Sequence, residues 1–130
     1  MAFSWSVDDE RRRVRSRFDG TLTAEVVFRY HAEVLRNPDL TAFDELADCT
    51  GLRHIDVGVV EMRTLADDAA RALGGRGATR AAFLVRGALA FGMARMYQAY
   101  CGLAGDPREI RAFQDSAAAE AWLDRIDGSD

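Results

Sequence analysis

A chain of 130 residues suffices for one domain with a substantial core and leaves no room for a second. Its 48% hydrophobic and 29% charged residues are those of a globular protein, and a net charge of -4 argues against general nucleic-acid affinity. All 17 basic residues are arginines beside abundant alanine, which reads as genomic composition bias rather than a phosphate-binding adaptation.

The start, Met1-Ala2-Phe3-Ser4-Trp5, lacks the charged and apolar regions of a signal peptide, and no apolar run approaches a membrane span. A cytoplasmic location is expected. Cys49 and Cys101 lie outside any CxxC or metal-ligand spacing, so both are read as reduced thiols, with no disulfide, metal or cofactor expected.

Phe3, Trp5 and Val7 alternate with polar residues, the pattern of a strand with one buried face. After the turn at Asp8-Asp9-Glu10, Val14 and Phe18 alternate with Arg13, Arg15 and Arg17 and complete a hairpin. Asp19-Gly20 closes this strand, and Thr21 or Thr23 caps a helix that runs to about Asn37, where Pro38 ends it. Val26, Val27, Tyr30 and Val34 centre its apolar arc; His31 falls inside that arc, as a boundary or core histidine rather than a ligand.

Residues 43–48 read as a third strand and 49–58 as a loop. A second helix over 60–73 carries Met62, Leu65, Ala66, Ala69 and Leu73 as its core stripe, and Gly74-Gly75-Arg76-Gly77 ends it. No lysine-serine or lysine-threonine pair follows these glycines, so they do not form a phosphate-binding loop. The continuous apolar run 81–85 predicts a strand buried on both faces, broken by Arg86-Gly87. From Ala88 the period becomes helical, with Leu89, Met93, Met96 and Tyr100 stacked towards the core and Tyr97 beside them. A last strand over 109–113 and a helix capped by Asp115 or Ser116, carrying Ala119, Trp122, Leu123 and Ile126, close the chain; residues 127–130 are expected to fray. The expected fold is a single α/β domain over 1–126, of order ββαβαβαβα, with a mixed, mostly parallel five-stranded sheet and four helices.

Element order, length and three segments resemble the STAS-like, or SpoIIAA-like, proteins related to anti-sigma-factor antagonists. The segments are VRSRFDGTLT at 14–23, the passage 83–97 with LAFGMARMY at 89–97, and the ending 113–123. The resemblance implies a small non-enzymatic domain that binds a partner protein, a nucleotide or a lipid. In the antagonists a serine at the start of the second helix is phosphorylated. The counterpart here, IDVGV at 55–59, keeps Asp56 but places Val57 and Gly58 at the hydroxyl positions, so that switch has no acceptor. The nearest hydroxyl is Thr64, about one turn inside the second helix on its solvent side.

No nucleophile beside a base and no paired acid and base is visible, so a binding or regulatory protein is expected rather than an enzyme. His54 has Asp56 as its nearby acid but no serine or cysteine nucleophile beside it. Two binding surfaces are proposed by the residues. Arg86 and Gly87, where a strand ends and a helix begins, form a candidate site for a small anionic ligand such as a nucleotide or phosphate. Phe91, lying off the apolar stripe of the third helix, forms with Arg95 and Gln98 a candidate surface for a partner protein, most simply a second copy of the chain.

Overall fold

The computed structural model describes residues 2–125; Ile126 of the expected closing stripe and the tail at 127–130 lie outside them. Strands β1 (Phe3–Asp8) and β2 (Arg13–Thr23) form the expected hairpin, with Phe3 opposite Phe18 and Val7 opposite Val14. β3 (Asp44–Asp56), β4 (Arg80–Leu84) and β5 (Glu109–Phe113) then add in sequence order, each parallel to its predecessor, giving a five-stranded sheet β1-β2-β3-β4-β5.

Three crossovers run through helices: α1 (Ala24–Tyr30), α2 (Val59–Ala72) and α3 (Ala88–Leu103). Crossovers of one hand that always advance in the same direction place their helices on one face of the sheet. α4 (Ser116–Leu123) packs on the opposite face, where Leu46, Ala82, Ala119, Trp122 and Leu123 form a separate buried cluster. Asp115 caps it, its carboxylate accepting from the Ala118 amide at 3.1 Å. No helix among the described residues is long and apolar enough to cross a membrane.

Thr23 is the N-cap of α1, accepting from the Val26 amide at 3.3 Å. Beyond Tyr30 the helix widens to π-type winding over His31–Leu35, with the Arg36 amide donating to the His31 carbonyl at 3.0 Å. Such winding is uncommon and recurs at functional sites. The predicted stripe of α2 is buried in full, from Met62 through Leu73.

Three expectations require correction. β3 does not end at Asp48, and residues 49–56 are not a loop: β2 and β3 stay paired as far as Thr23 and Asp56. Two register shifts, between Arg17 and Asp19 and between Gly20 and Thr21, let the pairing continue where the apolar alternation is lost. For the same reason β2 runs on past Asp19-Gly20, with Gly20 at φ +77°. Gly51 leaves room there for the Asp19 carboxylate, since a β-carbon would lie 2.0 Å from Asp19 Oδ1 and displace that side chain.

The third correction concerns α3. Leu89 is 79% exposed and Met96 37% exposed, whereas Met93 and Tyr97 are half-buried and Cys101 is buried. Arg95 and Gln98 are the long polar side chains of a helix that is otherwise apolar or small on nearly every side. Its hydrophobic pattern therefore fits two faces, and packing against α2 and β5 selects the one that periodicity did not favour.

Candidate functional site

The carboxyl ends of β2, β3 and β4 and the amino ends of α1, α2 and α3 lie at one edge of the sheet. Beyond the point where β1 and β4 stop, the β2–β3 pair continues alone, and its side chains Leu22, Leu52 and Ile55 form one wall of an apolar cavity of about 120 Å³. α2 contributes Met62 and Leu65, α3 contributes Ala90, Met93 and Ala94, and the side is closed by Phe83 of β4 and by Val85 just past its end. Small residues on α3 leave the space. The setting is where open α/β sheets hold ligands, and the lining is of the apolar kind typical of small-molecule pockets.

The floor of this cavity is a hydrogen-bonded network of buried polar side chains. Tyr30 donates its hydroxyl to Glu45 Oε2 at 2.5 Å and meets Ser16 Oγ at 2.9 Å. Glu45 Oε1 accepts from Arg108 at 2.9 Å, and Arg108 also donates to Asp106 Oδ2 at 2.8 Å. Both carboxylate side chains and the guanidinium are almost wholly removed from solvent. His31, in the π-wound turn, places Nδ1 2.9 Å from Asp68 Oδ2 and Nε2 3.2 Å from the Tyr97 hydroxyl, while Arg36 pairs with Asp68 at 2.7 Å.

Environment sets the protonation of this network. Burial holds the His31 imidazolium below its ordinary value of 6.5, against the pull of Asp68, so the neutral ring donates from Nδ1 to Asp68 and accepts from Tyr97 at Nε2. Burial pushes the phenols of Tyr30 and Tyr97 well above their usual range, with Glu45 reinforcing the shift at Tyr30. Burial opposes the charge of Arg108, but Glu45, Tyr97 and Asp106 outweigh it and hold the guanidinium more firmly protonated than usual. Cys49, also on the lining, has its thiol pushed up to about 12 by burial. Carboxylate, imidazole and phenol stand in a relay order, yet the phenol stays protonated and its proton is already placed.

Acid sensitivity follows from this arrangement. The unfolded chain binds a proton at His31 before the folded one does, so stability falls as pH drops below about 6.5. Asp68, lowered chiefly by its bond to Arg36, adds a loss of the same sign at lower pH. The urea midpoint should therefore decline between about pH 7 and about pH 5.5, and His31→Gln should flatten that decline. An equal slope in both proteins would show that His31 does not carry it.

Other residues singled out by the sequence lie around this edge. Arg86 is exposed, and Gly87, the N-cap of α3 at φ +88°, donates its amide to Gln114 Oε1 at 3.2 Å. Asp56 ends β3, Val57 lines the cavity, and the Gly58 amide donates to Glu61 Oε1 at 2.9 Å. Thr64 is exposed and donates back to the Val60 carbonyl at 3.2 Å. His54 and Asp56 are both exposed, two residues apart on β3. Phe91 is half-buried under the Arg95 guanidinium, which sits 5.9 Å from its ring centre, and Gln98 is half-buried. Sequence reasoning set His31 aside as a core residue; its link to Asp68 spans 37 positions and left no local signal. Glu45 and Arg108 are 63 positions apart and carry no local signal, because their pairing is visible only once β3 and β5 are neighbours of β4.

No family model and no curated protein matches this chain. Among solved structures it is similar to an uncharacterised DUF3478 protein with a SpoIIAA-like fold from Shewanella loihica PV-4. The two are 18% identical, superpose with a TM-score of 0.61, and the match covers 94% of each chain.

Proposed function

We propose that this SpoIIAA-like chain acts by binding an apolar small molecule, such as the hydrocarbon part of a lipid, in the cavity at the carboxyl edge of its sheet. The observation that carries the reading is a preformed cavity of about 120 Å³ with an apolar lining at the position where α/β sheets place ligands. The floor network holds the walls in register and performs no turnover in this reading. Ala94→Phe fills the cavity from α3 without touching the network. It should abolish fluorescence enhancement of an apolar naphthalene dye while circular dichroism and melting temperature stay near those of the parent. Equal dye binding by both proteins would sink the proposal.

A second reading, contact with another protein through α3, is favoured by a separate observation. Leu89, Met96 and Leu103, seven residues apart, are 79%, 37% and 85% exposed, and the small residues Gly92 and Ala99 lie between them, also exposed. At about 100° per residue all five fall within roughly 80° of arc, the geometry of a helix-pairing seam. This stripe lies beside the Phe91–Arg95 pair, which is occupied with itself. Self-association should then be lost in Leu103→Asp at little cost in stability, because the side chain is solvated in the single chain. Light scattering decides: a parent that stays monomeric at high concentration removes this reading.

A further inference from the structure

The polar floor of the cavity looks at first like a place for a ligand's head group, but each side chain that forms it is already engaged inside the protein. Tyr30 meets Ser16 and Glu45, Glu45 meets Tyr30 and Arg108, and Arg108 meets Glu45 and Asp106. His31 is engaged at both ring nitrogens, by Asp68 and by Tyr97. Among the described residues two buried side-chain atoms have no hydrogen-bond partner, Arg13 Nε and Gln98 Oε1, and neither residue lines the cavity. Charge points the same way. The cation that lines the cavity, Arg108, already faces two carboxylates, so a third anion brought to the inner end would meet repulsion rather than an unmet positive charge.

From this we infer that the ligand enters with an unsubstituted hydrocarbon end first and keeps any polar group at the mouth. The inference rests on the cavity reading above and specifies the ligand class: a single-headed amphiphile, with no hydroxyl, carboxylate or amide at the far end of its chain. A polar group carried inward would lose its water without gaining a partner, a penalty that falls directly on affinity.

The experiment compares a saturated straight-chain fatty acid with the acid of equal length that carries a terminal hydroxyl, over a short series of chain lengths, each displacing an apolar dye. The hydroxy acid is polar at both ends, so either orientation drives a polar group inside. It should bind about tenfold or more weakly than the plain acid at the best length. Tyr97→Phe, which frees His31 Nε2 to accept a hydrogen bond, should narrow this ratio by strengthening the hydroxy acid. Equal or tighter binding of the hydroxy acid to the unmodified protein overturns the inference while leaving the cavity reading standing. Failure of the dye and every chain to bind overturns both. If Tyr97→Phe does not fold, the comparison in the unmodified protein decides alone.

Discussion

Arg108→Met should lower the melting temperature by roughly ten degrees or more, the largest loss expected from a single change near the cavity. Arg108 is the cation between Glu45 and Asp106, and all three side chains are nearly inaccessible to water. Methionine fills much of the same volume, so the cost is electrostatic rather than steric. Two carboxylates would remain buried without their counter-charge, and breaking such a pair from one side typically costs about 3–5 kcal/mol. The loss is a large part of a total stability of about 5–15 kcal/mol. Combining Arg108→Met with Glu45→Gln and Asp106→Asn should recover much of it, since neutral amides retain hydrogen bonding to Tyr30 and to the Arg108 backbone amide. A single variant that melts within a couple of degrees of the parent would show that the charge cluster is not a stability determinant.

Trp122→Ala should cost about 3–5 kcal/mol, through loss of packing on the other face of the sheet. Trp122 is 5% exposed, contacts Phe113 with ring centres 5.6 Å apart, and lies under the guanidinium groups of Arg80 and Arg111 at 5.7 and 5.6 Å. α4 is only eight residues long and cannot stand on its own helical propensity. It is held by this indole and by Arg13, whose buried guanidinium reaches Glu120 at 2.6 Å and Asp124 at 2.7 Å. Without the indole, α4 should detach and uncover Leu46 and Ala82, seen as a lower urea midpoint together with dye binding on this face. Retention of the parent midpoint would mean that the arginine contacts suffice.

What could be read from the residues was whatever rests on local periodicity. The alternation of Phe3, Trp5 and Val7, the buried stripe from Met62 to Leu73, the doubly buried strand around Ala82 and the Asp115 cap each report their own element. From them the mixed five-stranded sheet with four helices followed directly. The second half of β3 escaped because Thr50, Gly51 and Arg53 carry no strand pattern; pairing with β2 makes the strand, and that partner is some thirty positions away. The exposed side of α3 escaped for the opposite reason, since an excess of apolar residues left the helix with two candidate core faces. The cavity was invisible for a third: it is a deficit of volume, created where Ala90 and Ala94 face Leu52 and Ile55, and no single residue announces it. Only the corner at which it opens could have been anticipated, from strand direction.

If the cavity binds as proposed, the solitary extension of β2 and β3 would set the kinetics of exchange. From Gly20 to Thr23 and from Leu52 to Asp56 these two strands pair only with each other, in a short parallel ribbon interrupted by a register shift, the last tie to the β1 side being the Asp19 amide on the Ala2 carbonyl at 3.0 Å. Two-stranded ribbons are marginal by themselves. This wall should be the first part of the sheet to open, with amide protection well below that of β4, which has neighbours on both sides. On the proposed reading, a guest enclosed by such a wall would leave when the ribbon frays rather than when its own contacts break. Residence time would then track the strength of a few backbone bonds, and a tighter ribbon would slow arrival and departure together without altering the chemistry of what fits.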